Sequence, residues 1–323
     1  MARTAAARLA VWAVVSAACA GGDDGAGRGD AAPAPAPFRS ALIGEPAPHS
    51  EPFVFSLTSP GAEPRRVLRY HVTPGVRERT RIAITNEIDV FIAGRRIQRS
   101  TPPTIEMASE IEAAVRPGGG YRCTAWITDT ASEDWERMAP GSGSELRKSL
   151  GTLRGHHISF EVDERGHPLS SDITLPDGLD SHQAAALEIL RGVSEAVVPL
   201  PAEPVGVGAV WTTVDEVAGR SSNLAGALVV TYTLVAMRGD HLELSMLLNL
   251  PAEPAPLSLT GKEVSGYSGA VTSGNVKVAV DLSRLLPRSE GGFEFNLEGR
   301  TFTGAEELPF RVHQKMRHRV DSK

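Results

Sequence analysis

The sequence predicts a mainly β (α+β) protein: a large curved antiparallel sheet or half-barrel of about a dozen strands, with two or three helices packed on one face. Three observations carry this. Alternation of apolar and polar residues with a period of two recurs from Val67 almost to the C-terminus. Clusters of Gly, Pro, Asp and Asn punctuate the alternating runs. Helical spacing of apolar residues is confined to the middle of the chain. A sheet of that many strands accumulates twist and cannot stay flat, so it must curl, close or fold over, and mid-chain helices can then cover one apolar face.

Each element has its own warrant. Leu68, Tyr70 and Val72 alternate with Arg69 and His71. Ile82, Ile84, Ile88, Val90 and Ile92 alternate with Arg81, Thr85, Glu87 and Asp89, and Ile105, Met107, Ile111, Ala113 and Val115 with Glu106, Glu110 and Glu112. Tyr121, Cys123, Ala125 and Ile127 share one parity, as do Ile158, Phe160 and Val162. Leu242 to Leu250, Val276 to Leu282, Phe293 to Leu297, and Phe310 with Val312 complete the set. One apolar and one wet face per strand is the pattern of antiparallel sheet. Turn chemistry sits at Pro117–Gly120, Arg238-Gly239-Asp240 and Glu290-Gly291-Gly292. Helices are predicted over Ser144 to Arg154, with Leu146, Leu150 and Leu153 in phase and Gly155 as a stop, and over 180–195, with Leu187, Leu190 and Val193 in phase. A third, weaker one is expected near Trp135.

Residues 1–18 form an export signal: Arg3 and Arg8, a short apolar stretch from Leu9 to Val15, then small residues before Cys19. No apolar run reaches the roughly 18 residues that a membrane-spanning helix needs. Ser16-Ala17-Ala18-Cys19 resembles a bacterial lipobox, with Ser16 where Leu is usual, which implies lipidation of Cys19 and a membrane anchor. Ser16 and Ala18 also fit ordinary signal-peptidase spacing, which would release a soluble secreted protein. Ala20 is not the aspartate of an inner-membrane retention signal, so the lipoprotein would sit in the periplasm or at the outer membrane. Residues 19–55, rich in Gly, Ala, Pro and Asp, read as a flexible tether. Residues 56–323 then form one β-rich domain, either as a single unit or as two similar halves, 63–178 and 199–320, joined by the helix at 180–195.

Pro199-Leu200-Pro201-Ala202-Glu203-Pro204-Val205-Gly206-Val207-Gly208-Ala209-Val210-Trp211 is the most distinctive segment. Pro201 and Pro204 impose an extended entry that cannot be a central strand, Gly206 and Gly208 permit close backbone approach, and Val205, Val207 and Trp211 can dock on a core. The segment resembles a P-L-P-x-x-P-V-x-V-G-x-x-W element of uncharacterised bacterial lipoproteins. Val162-Asp163-Glu164-Arg165-Gly166, a hairpin turn ending in Gly with Leu169 on the return strand, is similar to a second element of the same group. The resemblance spans about 65–320 and brings no catalytic residues with it. In architecture the pattern also resembles carriers of the LolA/LolB and mycobacterial lipoprotein type, whose curved sheet encloses an apolar cavity; that is analogy of fold only.

Chemistry-bearing residues are sparse. Adjacent His156 and His157 point to opposite faces of a strand and cannot share one ion, and with His167 they form no recognised metal motif, so no metal and no cofactor is expected. Glu106, Glu110 and Glu112 read as a wet face paired with Arg81 or Arg122 on neighbouring strands, not as an acid/base pair. Cys123 reads as a small buried hydrophobe with no base nearby. The run from Arg311 to Val320 is basic, the guard of an edge strand or a contact for anionic headgroups. Net charge is −6, falling to −8 once residues 1–18 are removed, which excludes a dedicated nucleic-acid binder. The expected function is a non-catalytic binding or scaffold role in the envelope, with a lipid or other apolar ligand or an envelope protein as partner. The alternatives are an envelope hydrolase, built on Cys123, His156, His157, Asp163 or the glutamates, and a structural protein–protein interaction module.

Overall fold

The computed structural model describes residues 54–132, 142–172, 183, 196–217, 226–251, 257–259, 262–303 and 306–323. Among them, strands make one antiparallel sheet. Along the chain these are β1 (Val54–Ser59), β2 (Arg77–Ile92), β3 (Arg95–Ser100), β4 (Ile105–Val115), β5 (Tyr121–Ser132), then helix α1 (Ser142–Gly151), β6 (His157–Val162) and β7 (Pro168–Asp172). The second run is β8 (Val210–Val217), β9 (Gly226–Arg238), β10 (His241–Pro251), β11 (Leu257–Leu259), β12 (Lys262–Asp281), β13 (Arg288–Thr303) and β14 (Glu306–Ser322). Across the sheet the order is β1-β8-β9-β10-β12-β13-β14-β2-β4-β5-β6-β7, with β3 paired to β2 and β11 to β12. Both runs are meanders, and the ladder from Phe310↔Ile92 to Ser322↔Thr80 welds the end of the second to the start of the first.

Alternation decides which face is buried. On β2, Ile82, Ile84 and Ile88 are buried while Arg77, Arg79 and Arg81 are exposed. The same parity holds on β4, β5, β6, β10, β13 and β14, and the inward residues merge into one core cluster that includes Trp211, Met107, Ile111, Leu228 and Phe295. Removing such side chains from water is the main favourable term in folding. Outside, the charges pair across strands. Arg79 meets Glu110 at 3.0 Å, Arg77 meets Glu112 at 3.1 Å, and Lys315 meets Glu294 at 3.2 Å.

Several expectations are corrected. Residues 67–72 alternate in burial, with Leu68, Tyr70 and Val72 inside, but they are not a strand. The segment from Pro60 to Val76 runs across one end of the sheet and spends its hydrogen bonds on separate elements: Tyr70 N donates to Glu164 O in the β6–β7 turn, His71 N to Leu282 O just after β12, and Gly75 N to Ala113 O near the end of β4. Glu290-Gly291-Gly292 is strand, not turn; a Cβ on Gly291 would lie 2.7 Å from Asn275 O, so the glycine serves close approach between β13 and β12. Strand β14 is no edge, since β13 and β2 flank it along its length, and its basic side chains mesh with carboxylates on the outer wall. Sheet begins at Val54, two residues inside the expected tether. Of the helices, α1 stands near its expected place, with Leu150 and Leu153 buried against β5. The segments predicted as helices at 180–195 and around Trp135 lie outside the described residues apart from Gln183, so packing of two or three helices on the sheet is not what the described fold displays.

Candidate functional site

The two motif elements meet. Leu200 N donates to Arg165 O at 2.8 Å, and His167 Nε2 lies 2.9 Å from Leu200 O. Asp163 shapes the β6–β7 turn: its Oδ1 accepts Arg165 N at 2.8 Å and His167 N at 2.9 Å, and its Oδ2 holds the Arg165 guanidinium at 3.0 Å. Gly166 has φ of 76°, and a Cβ there would fall 2.7 Å from the Tyr70 ring and 2.8 Å from Val198 O. Only glycine fits both the backbone and the space. Trp211, fully buried, donates Nε1 to Pro199 O at 2.9 Å and stacks on Tyr232 at 5.6 Å. Tyr70 OH donates to Val198 O at 3.1 Å, and Tyr121 OH to Tyr70 O at 3.0 Å.

Pro199, Pro201 and Val205 are buried within this junction, whereas Pro204 is exposed. Val207 does not dock on the core: its side chain is exposed, and it contributes its carbonyl, which accepts Ala62 N at 2.8 Å. Gly206 passes so close to Ala62 that a Cβ would lie 1.8 Å from its oxygen, while Gly208, with φ of 83°, has open space around it. The junction is a latch. It draws the β6–β7 turn, beside one edge of the sheet, to the chain entering β8, beside the other, and the ring of Phe55 on edge strand β1 lies 5.0 Å from that of His167. Alanine at Gly206 or Gly166 is expected to lower stability by about 2 kcal/mol or more, against a few tenths for Gly208→Ala beyond its backbone strain; urea midpoints of the three variants check this.

Behind the latch the inner wall is apolar, but it carries a polar stripe centred on β14. Gln314, His318 and Ser322 recur at every fourth residue of the strand, alternating on its inward face with Met316 and Val320, and all are buried. Gln314 Nε2 donates to Asn86 Oδ1 at 3.3 Å, and Ser322 Oγ to Leu286 O at 3.0 Å. His318 stacks on Phe293 at 5.2 Å with Nε2 3.3 Å from Ser289 Oγ; its Nδ1 has no hydrogen-bond partner, and burial pushes its pKa down to about 4. Thr80 and Ser109, paired in register, have buried hydroxyls without a partner. Glu78, buried nearby, accepts Leu285 N at 3.0 Å and Leu286 N at 3.2 Å; desolvation raises its pKa and these backbone bonds oppose the rise.

The chemistry-bearing residues picked from sequence do not converge. Cys123 is wholly buried on β5, and burial drives its thiol well above the ordinary range. His157 and Glu161 lie on the opposite, outer face, where Glu161 is held by Arg122 at 2.7 Å and Arg116 at 3.0 Å. Arg122 therefore serves Glu161 and not the β4 glutamates; Glu110 and Glu112 pair with Arg77 and Arg79, and Glu106 with Arg81 at 3.8 Å. Asp163 is consumed by its own turn. The pair that sequence reasoning missed is Ser289 with His318. It has nucleophile–base geometry, but the third group that orients a base is lacking, because no carboxylate meets His318 Nδ1. No group of three His, Cys, Asp or Glu suited to a metal occurs among the described residues. Cys19 lies outside them.

No family model matches the chain, and no curated protein matches it. Among solved structures it is similar to an outer membrane channel from Pseudomonas putida F1, at 6% identity and a TM-score of 0.24, over 78% of this chain and 98% of the channel. A likeness that slight carries no argument about this chain. The polarity of the walls does. A barrel that crosses a bilayer turns its apolar band outward, whereas the outer faces of β2, β4, β13 and β14 hold Arg–Glu and Lys–Glu pairs and the apolar residues face inward.

Proposed function

We propose that the chain is an exported, lipid-anchored lipoprotein of the bacterial envelope that holds an apolar ligand within its curved sheet and does not transform it. The observation that carries this is the division of the walls, with ion-paired charge outside and apolar side chains inside, closed at one end by the latch. A water-facing shell around an apolar interior fits a carrier. Native mass spectrometry of the purified mature protein, followed by organic extraction, tests it. The expected result is a co-purifying apolar mass released by solvent. A bare mass with nothing extracted would leave the envelope scaffold in its place. The Ser289–His318 pair gives the hydrolase alternative its concrete test: ester turnover by the purified parent is expected at background, and turnover by the parent that Ser289→Ala abolishes would establish the hydrolase in its place. Cys19→Ala is expected to move the chain from the membrane to the soluble fraction, and unchanged fractionation would mean that Cys19 is not the anchor.

A further inference from the structure

The inner wall carries more polar atoms than its own residues satisfy. Thr80 Oγ1, Ser109 Oγ, His318 Nδ1 and Gln314 Oε1 belong to residues no more than 3% exposed, and none has a hydrogen-bond partner. They sit on three adjacent strands, β4, β2 and β14, and share the inward parity of Met107, Ile82 and Met316. Register sets Thr80 between Ser109 on one side and Ser322 on the other, which makes a row of three hydroxyls. His318 stands four residues from Ser322 along β14, a step of roughly 13 Å. Buried polar groups are nearly always paired, and each one left unpaired is costly. Several of them on one patch of an apolar wall mark the place of a missing partner.

We propose that this patch receives the polar head of the guest, and that the head is uncharged and carries more than one hydroxyl. The inference rests on the carrier reading and names the class of its ligand. The surroundings disfavour a charged head. No Lys or Arg is among the buried residues described, so an anion would find no counter-charge there, and it would face Glu78, two residues before Thr80 on the same side of β2. The Glu78 oxygens already accept Leu285 N and Leu286 N, so a cation would have to compete for them. Hydroxyls suit what is left. Thr80 and Ser109 can each donate or accept, and Gln314 Oε1, whose own Nε2 donates to Asn86, asks for a donor. The spacing along β14 is too long for one hydroxyl to serve every position. Water alone fits less well. A buried water needs about two to four polar partners, whereas the cross-strand neighbours of His318 are Gly291 and Ile84, and its ring lies on Phe293. The acyl part of the guest then rests on Met107, Ile82, Ile84 and Phe293.

The test offers the purified mature chain three radiolabelled lipids that share one acyl chain and differ in the head: monooleoylglycerol, methyl oleate and, at about pH 9 where its carboxyl is ionised, oleate. The expected result is that monooleoylglycerol binds at least about tenfold more tightly than either of the others. The double variant Thr80→Val, Ser109→Ala is expected to bring monooleoylglycerol down to the level of methyl oleate and to leave methyl oleate unchanged. Without added lipid its denaturant midpoint should equal or exceed the parent's, because the lost hydroxyls bond to nothing in the empty protein. Equal binding of the three lipids, or a preference for oleate, would overturn the head site and leave the carrier standing. A preference for monooleoylglycerol that survives the double variant would overturn it too. A lower midpoint without lipid would mean that bound water already pairs these hydroxyls for the fold, which also overturns it. Uptake of none of the three would remove the carrier reading and this inference with it.

Discussion

Replacing Trp211 with alanine is expected to lower stability by about 3–5 kcal/mol, the range for deleting a fully buried aromatic. The side chain is wholly buried, stacks on Tyr232, and supplies a hydrogen bond that ties Pro199 O to the sheet. Its loss opens a cavity and leaves that carbonyl unmatched, which adds about 1–3 kcal/mol unless water enters. Native proteins are stable by only about 5–15 kcal/mol, so this single change removes a large share. Trp211→Phe keeps the stacking and loses the N–H, and should fall between the parent and Trp211→Ala. Denaturant midpoints of the three proteins decide it. A midpoint for Trp211→Ala no lower than that of a surface change such as Leu247→Ala would mean that the latch does not hold the sheet.

The strands were legible where the outer wall is charged, because charge against apolar residues makes the alternation plain, as in Arg77–Ile92 and Ile105–Val115. Where the outer wall is uncharged the signal fails. Gly226–Arg238 reads as a nearly continuous apolar run, Leu-Val-Val-Thr-Tyr-Thr-Leu-Val, although its burial alternates like any other strand. The opposite failure occurs at Leu68–Val72, where alternate burial comes without a ladder: the backbone donors of Tyr70, His71 and Val72 go to Glu164 O, Leu282 O and Tyr121 OH, and no local pattern encodes partners so distant in sequence. The latch motifs could be singled out from sequence because prolines and glycines carry backbone information of their own. That Gly166 and Leu200 would touch the same junction could not. The inner polar stripe was hidden by composition. Among Arg and Lys, His318 and Gln314 looked like more surface, yet their parity with Met316 and Val320 places them inside, and reading that parity would have found them.

His318 gives the second large effect, a pH dependence of stability. In the folded protein its pKa is about 4, against an ordinary 6.5. As pH falls below 6.5 the unfolded chain takes up a proton that the folded chain refuses until about pH 4. This contribution is therefore complete above pH 6.5, declines between 6.5 and 4, and is spent below 4, a swing on the order of 3 kcal/mol. His167, also lowered by burial, acts in the same direction, while Glu78, raised by burial, acts in the opposite one: protonation favours its folded form, so its contribution is lost as pH rises. Comparing pH profiles isolates one group from the others. The parent should lose denaturant midpoint steadily from pH 6.5 to 4, and His318→Leu, similar in size and unable to titrate, should show a shallower loss. Two parallel profiles separated by a constant offset would show that His318 is as easily protonated inside as outside. That result would place water within reach of Nδ1, and the wall between Phe293 and Met316 could not then be the dry surface on which an apolar guest is expected to rest.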